Sequence, residues 1–168
     1  EVVKWIAETW GMETLADPEE GETSAENNTS TILLLQINGE KFLFTSDAGI
    51  EALNNATNIA ESSGIDLREV GFLQIPHHGS KHNVGPTMLN RIIGERIKWQ
   101  EHLKTVYVSA PKDGDPKHPS RKVVNAFIRR GAKIFATKGI SMCQHSPDAP
   151  DRGWRKADPL QFNDQVEE

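Results

Sequence analysis

A two-residue turn constrains the fold of this chain more than any other sequence feature. Asn38-Gly39 lies between two apolar runs with high β-propensity, residues 31–37 and residues 41–45. Both positions of a two-residue hairpin loop need a positive φ angle, which asparagine and glycine adopt most easily. The sequence therefore predicts a β-hairpin, and with it one pair of antiparallel strands.

After the hairpin the chain alternates between helical and strand-like patterns. Helices are predicted over residues 50–62, 86–99 and 119–130, and strands over residues 70–75, 105–108 and 133–137. Such alternation is typical of an α/β layer arrangement. The strands are nearly continuous in apolar residues, so both sheet faces should be covered. Three helices can cover one face only, so the other face needs the two chain ends or a partner layer.

The flanking segments carry weaker signals. Residues 2–7 suit a short helix or a strand, and residues 11–29 form a polar stretch that predicts a loop. From Ser141 onward the sequence predicts a tail or a loose cover. We therefore divide the chain into an N-terminal segment with its polar loop (1–26), an α/β domain (27–140) and a polar C-terminal tail (141–168).

Composition limits the class of protein. The 168 residues fit one domain, and a net charge of −5 argues against binding nucleic acid by bulk electrostatics, although a local basic site stays open. One cysteine, Cys143, excludes an internal disulfide and favours a reducing compartment, so we expect a cytoplasmic protein. Neither a membrane-spanning run nor a signal peptide is present. Because the first residue is Glu1, we expect a fragment, a processed product or a trimmed chain.

Polar residues cluster at the ends of the predicted strands, in segments 27–30, 45–49, 76–80 and 113–120. Asp47, His78 and His118 each follow a strand and precede a helix, and parallel strands place such positions at one edge of the sheet. A carboxylate with imidazoles suits zinc, manganese or iron. The alternatives are a helix N-cap for Asp47 and ordinary loop positions for the histidines.

Two other considerations bear on the chemistry. A catalytic zinc normally has three protein ligands and an open position, and a two-metal site needs more than these residues supply. Serine chemistry is the competing enzymatic interpretation, with Ser80 or Ser46 beside His78. It is disfavoured because neither serine lies in a Gly-x-Ser-x-Gly elbow.

The order of these clusters resembles the second half of the metallo-β-lactamase-fold hydrolases. The nearest branch is that of the hydrolase domain of the DNA-uptake competence protein and its soluble relatives. The resemblance covers roughly residues 27–140, and it rests on Asn27-Asn28-Thr29-Ser30, Phe44-Thr45-Ser46-Asp47, Ile75-Pro76-His77-His78-Gly79-Ser80 and His118-Pro119-Ser120.

This resemblance implies the C-terminal half of an αββα sandwich, with a divalent-metal site, zinc or manganese, at one edge. Asp47 would bridge two metals, His78 would be the late histidine ligand, and His77 its neighbour or an alternative ligand. His118 would face the substrate as a phosphate contact or an acid. The remaining predicted substrate-binding residues are Asn28, Ser30, Ser80 and Lys117; other branches carry a further histidine ligand near Asn28 and Ser30.

The sequence departs from the family pattern in two ways. The upstream motif His-x-His-x-Asp-His is absent, and Ser46 replaces the usual glycine before the aspartate. We therefore expect one β-layer with its helices, the other half having been cut away or lying on another polypeptide. The chain alone is predicted to be inactive.

The function predicted from this resemblance is metal-dependent hydrolysis of phosphodiester bonds, with metal-activated water as the nucleophile. Local cations could steer a phosphate-bearing substrate, nucleic acid included, or could be a solvated loop face; they are Lys81, Lys112, Lys117, Arg121 and Lys122. The alternatives are a hydrolase of lactones or other esters, and a non-catalytic module that uses its bare sheet face for a partner. Self-association or pairing with the missing half is expected.

Overall fold

A computed structural model describes residues 3–19, 21–99, 102–113 and 118–168 of the chain. In these residues the main element is a five-stranded, mostly parallel sheet flanked by helices, so the predicted α/β class is confirmed. The strands are β1 (Trp5–Ala7), β2 (Leu33–Ile37), β3 (Glu40–Phe44), β4 (Phe72–Gln74), β5 (Lys104–Val108), β6 (Ala132–Ala136) and β7 (Gln165–Glu167). The helices are α1 (Ala25–Asn28), α2 (Ile50–Ser62), α3 (Pro86–Ile92) and α4 (Arg121–Ile128).

The predicted hairpin is present. Strands β2 and β3 pair in antiparallel register, and Asn38 and Gly39 between them have φ angles of 51° and 86°. The sheet order is β2-β3-β4-β5-β6, and every pair from β3 onward is parallel. The hairpin therefore forms one edge of a parallel sheet, and helical connections cross between the other strands.

The helices differ from the predicted ones mainly at their ends. Helix α3 ends near Ile92, short of the predicted residue 99, and Gly94 follows with a φ of 119° that few other residues adopt. Helix α4 begins at Arg121 because Ser120 is its N-cap, with a hydroxyl that accepts from the Val123 N–H at 3.4 Å. The polar loop contains the short helix α1, which the composition of that stretch does not predict. No helix of the described segments is long and apolar enough to cross a membrane.

The two ends of the described chain pair with each other. Strand β7 lies antiparallel to β1, and Val166, opposite Ile6, is fully buried. Strand β7 packs against α4. The sequence predicts a tail or a loose cover from Ser141 onward; the strand at residues 165–167 within that segment is a feature it does not predict. Three-residue strands leave no periodic pattern in a sequence, since their pairing depends on residues far away along the chain.

Helix α4 holds these ends through a buried ion pair. The fully buried guanidinium of Arg129 lies 2.5 Å from the Glu8 carboxylate, and its Nε–H donates to the Trp10 carbonyl at 3.0 Å. The Asn125 side chain, one turn earlier, donates to Glu8 at 3.0 Å and to the Asn163 carbonyl at 2.8 Å. Each buried charge thus has both a counter-ion and hydrogen bonds, which offset its loss of hydration.

The two faces of the sheet have different surroundings. The face towards the helices is formed by Leu43, Leu73, Val106 and Ile134, each at most 3% exposed. On the opposite face an aromatic row crosses the strands: the ring centroids of Phe42 and Phe72 are 5.8 Å apart, and those of Phe72 and Tyr107 are 4.9 Å apart. On this face strand β2 exposes three aliphatic side chains: Leu33 (52%), Leu35 (38%) and Ile37 (50%). We call this surface the aromatic face.

We predict that the 168-residue chain self-associates through the aromatic face. Replacing both Leu33 and Leu35 with Gln should shift the protein towards monomer, because these side chains present apolar surface to water at the edge strand. Sedimentation velocity at several protein concentrations measures the change. The control is Ile59→Gln, which alters an aliphatic side chain on α2 that is even more exposed (67%) but lies away from the aromatic face. A wild-type chain that stays monomeric throughout would disprove the prediction.

We also predict that Glu8→Ala destabilises the fold strongly. Removing one partner of a buried ion pair leaves the other charge uncompensated, which typically costs about 3–5 kcal/mol. Urea unfolding measures this cost. Glu69→Ala is the control, because Glu69 pairs with Lys41 at the surface and its loss should change the free energy of unfolding little. Equal effects of the two substitutions would contradict the structural role of the Glu8–Arg129 pair.

Candidate functional site

Three of the four polar clusters meet at the carboxyl end of the parallel strands. The loop after β4 contacts the loop after β3, since the His77 N–H donates to the Ser46 carbonyl at 3.1 Å. The loop after β5 also contacts the loop after β4, since the Ser120 N–H donates to the Gly79 carbonyl at 3.0 Å. Parallel strands end at the same sheet edge, so segments distant in sequence come together there.

The side chains of Asp47 and His77 face each other. His77 Nδ1 lies 3.6 Å from Asp47 Oδ1, and the two side chains are 35% and 50% exposed. His77 Nδ1 is buried and has no hydrogen-bond partner among the described residues. The main-chain carbonyl of Asp47 accepts from the Asn83 side chain at 3.2 Å, which holds the turn. A carboxylate and an imidazole nitrogen thus lie side by side at the edge of the site.

His78 is oriented by the end of the neighbouring strand. Its Nδ1 lies 2.9 Å from the carbonyl oxygen of Ser109, the residue that follows β5. A carbonyl can only accept, so Nδ1 carries the proton and donates it. In the neutral ring Nε2 then keeps its lone pair, the arrangement commonly found in metal-ligating histidines. The rings of His77 and His78 are 5.8 Å apart.

The backbone of the histidine loop is strained. His77, His78 and Gly79 follow one another with φ angles of 44°, 57° and 82°, and Ser46 opposite them has a φ of 49°. Left-handed conformations are uncommon for residues other than glycine, and they concentrate at functional sites where the surrounding structure enforces them. The two histidines therefore adopt these backbone conformations at a cost in free energy.

The contact between Gly79 and Pro119 joins the histidine loop to the loop of His118. A Cβ atom built on Gly79 would lie 2.6 Å from the Pro119 Cβ, so only glycine permits this approach. His118 is half-buried beside this contact. Lys117, which the sequence analysis predicts as a substrate contact, lies outside the described residues.

The predicted residues Asn28 and Ser30 of the first cluster lie just before the hairpin. The Asn28 amide donates to Glu51 at 3.1 Å, and its buried Oδ1 has no hydrogen-bond partner in the described part of the chain. Ser30 is half-buried, and the hydroxyl of Ser46 donates to the Thr31 carbonyl at 2.9 Å. The first cluster is thus attached to the second through this hydroxyl.

Ser80 is placed differently from the other predicted substrate contacts. It is 5% exposed, and its hydroxyl accepts from the His82 N–H at 3.2 Å. This bond lies within the histidine loop, so the hydroxyl contributes to the shape of that loop.

These residues carry the oxygen and nitrogen atoms that divalent metals bind in proteins. Asp47 and His77 offer an oxygen and a nitrogen at one place, and His78 Nε2 keeps a lone pair nearby. Within the described ranges, no group of three or more histidine, cysteine, aspartate or glutamate side chains could hold a metal ion. A catalytic zinc normally has three protein ligands. The described residues bring together fewer donors than such a site needs.

Several residues of this region were not singled out from the sequence. They are Thr31, Glu51, Asn83 and Ser109, which hold Ser46, Asn28, Asp47 and His78 in turn. Ser109 directly follows β5, so its position could have been predicted because residues after parallel strands meet at one edge of the sheet. The contribution of Thr31 and Ser109 is a main-chain carbonyl, which any residue type supplies, so their identity carries no signal.

Comparison with known proteins finds one distant similarity to report. ComE operon protein 3 of Bacillus subtilis (strain 168) is 26% identical over 120 residues, which are 71% of this chain and 14% of that protein. The chain thus spans about one seventh of the length of this relative. No protein-family model matches the chain, and no solved structure matches it.

We predict that Gly79→Ala disrupts the site more than Gly64→Ala does. Both glycines have a positive φ, 82° and 73°, so both substitutions introduce backbone strain of roughly 1–2 kcal/mol. Only at Gly79 does the new Cβ also meet a neighbour, Pro119, whereas the Gly64 position is open. Urea unfolding and the NMR signals of the His77, His78 and His118 rings measure the difference. Equal stabilities with unshifted ring signals would show that the close contact does not shape the site.

Proposed function

We propose that this chain supplies part of the active site of a metal-dependent hydrolase that cleaves phosphodiester bonds, on a metallo-β-lactamase-like fold. The observation that carries the proposal is the Asp47–His77 pair, with 3.6 Å between Oδ1 and Nδ1. A buried imidazole nitrogen without a hydrogen-bond partner is costly unless something binds it. A divalent cation between this nitrogen and the carboxylate would satisfy both groups.

The sequence similarity supports the same proposal at a coarser level. ComE operon protein 3 aligns over 120 residues, most of this chain. The segment Pro76-His77-His78-Gly79-Ser80, which carries the family resemblance, is also the segment that the structure holds in a strained loop at the sheet edge. Motif and geometry therefore indicate the same position for the chemistry.

Each residue has a proposed role. Asp47 and His77 would hold the metal, and His78, oriented by the Ser109 carbonyl, would offer its Nε2 as a further donor. The metal would supply the Lewis acidity that activates water and stabilises the charge that develops on a phosphate. His118, on the loop that packs against Gly79, would contact the substrate phosphate or donate a proton to the leaving group.

The aromatic face is the place from which the missing metal ligands of the proposed site could come. It lies uncovered by helices α2, α3 and α4, and three β2 side chains on it are 38–52% exposed. A second β-layer packed on this face would cover the apolar surface, and its own strand ends could add donors beside Asp47. We propose that the remaining ligands come from such a layer.

The proposal is tested by metal binding to the chain itself. Zn²⁺ should perturb the His77 and His78 ring signals in NMR spectra with one-to-one stoichiometry. Asp47→Asn and His77→Gln should each weaken this binding by about tenfold or more, since even the loss of a residue that only orients a ligand typically costs 10–100-fold. Calorimetry measures the affinities.

A matched control separates this site from adventitious binding. His82→Gln removes an exposed imidazole of the same loop region whose Nδ1 pairs with Glu22 at 3.2 Å instead of with Asp47. Zinc affinity should be unchanged in this variant. Zinc binding that survives Asp47→Asn and His77→Gln but is lost in His82→Gln would refute the proposed site.

A further inference from the structure

Three basic residues lie directly beside the candidate site. Lys81 follows the histidine loop, and Arg121 and Lys122 are the first residues of α4. The hydrogen bond from the Ser120 N–H to the Gly79 carbonyl, 3.0 Å, joins the two segments that carry them. We call these three residues the basic cluster.

The basic cluster is occupied by the chain's own acidic strand β7. The Ser120 hydroxyl donates to one carboxylate oxygen of Glu167, and the Arg121 N–H donates to the other at 3.2 Å. The Arg121 guanidinium donates to the Gln165 carbonyl at 3.2 Å, and Lys81 Nζ donates to the Glu168 carbonyl at 3.0 Å. One carboxylate and two main-chain carbonyl oxygens thus occupy donors of Ser120, Arg121 and Lys81.

The electrostatics of the cluster favour an anion here. Burial, together with the nearby Lys81 ammonium, lowers the pKa of Lys122 below its usual range, while Glu167 and Glu168 oppose this shift. Like charges repel one another, and a negative group near them relieves the repulsion.

We propose that the Glu167 carboxylate is an autoinhibitory stand-in for a substrate phosphodiester, and that a phosphodiester group displaces it from Ser120 and Arg121. The inference rests on the proposed phosphodiester substrate and adds to it a competing group within the chain. A carboxylate and a phosphodiester each present two acceptor oxygens, so either one satisfies the Ser120 hydroxyl and the Arg121 N–H.

The proposed exchange is a rotation of the Glu167 side chain away from Ser120. Val166 is fully buried and lies opposite Ile6 in the β1–β7 pair, so the strand backbone stays in place. Glu167 itself is half-buried, so its side chain has solvent to rotate into. Lys81, Arg121 and Lys122 then attract the incoming phosphodiester in place of the departed carboxylate.

The test uses the dinucleotide thymidylyl-thymidine, which carries a single phosphodiester, with no metal added. The Ser120 and Arg121 amide signals in NMR spectra report its binding. Glu167→Gln removes the charge and keeps the shape of the side chain, but its amide keeps only one of the two acceptor oxygens that Ser120 and Arg121 use. The variant should bind the dinucleotide about tenfold more tightly than wild type, the effect of removing a competing charge-assisted hydrogen bond. Inorganic phosphate is titrated in parallel, and weaker binding of this ion than of the dinucleotide is expected.

Glu168→Gln is the matched control. The Glu168 carboxylate pairs only loosely with Lys4 at 3.6 Å in exposed surroundings, so its loss should change the affinity by less than about twofold. Glu167→Asp has a shorter side chain that withdraws the carboxylate from Ser120, so it should raise the affinity for the dinucleotide by an intermediate amount. It replaces Glu167→Gln in the test if that variant does not fold. Equal tightening in both Gln variants, or no saturable shift of the Arg121 amide in Glu167→Gln, would overturn the inference. The readout needs no metal, so it is independent of the zinc test at Asp47 and His77.

Discussion

The parallel register of strands β3 to β6 is the constraint on which the candidate site depends. Phe42 pairs with Phe72, and Leu73 with Val106, so three strands end at the same level. Their loops then have little space and make direct contact, through the Ser46–His77 and Gly79–Ser120 hydrogen bonds. A change of register would separate Asp47 from His77 by moving whole loops, since side chains cannot compensate for a displaced strand.

The same sheet leaves a second requirement unmet. Its helical face is filled by side chains such as Leu73 and Val106, whereas on the aromatic face Phe42 and Tyr107 stay partly exposed beside the exposed β2 aliphatics. Apolar surface of this kind is unfavourable in water, and large exposed patches usually mark an interface. Under the proposed function, the incomplete donor set and the uncovered face lie on one sheet, so a single additional β-layer would meet both requirements.

Features set by neighbouring residues could be predicted from the sequence, whereas contacts between distant residues could not. The hairpin at Asn38-Gly39 and helix α2 follow from turn chemistry and periodicity, which act over a few residues. The β1–β7 pair and the Glu8–Arg129 ion pair join residues more than 100 positions apart, and no short-range pattern encodes such a pairing. The end of α3 was missed because Gly94 interrupts a segment in which Ile97 and Trp99 still supply apolar residues beyond it.

By itself, the sequence determined the α/β class, the hairpin and the strand-end positions of Asp47, His77, His78 and His118, because periodicity and turn residues are local properties. Only the tertiary structure decided which of these groups meet. It places His77 rather than His78 beside Asp47, turns His78 towards the Ser109 carbonyl, and sets Glu167 against Ser120. These contacts depend on side-chain direction, and backbone strain and packing across the sheet edge set that direction after the chain has folded.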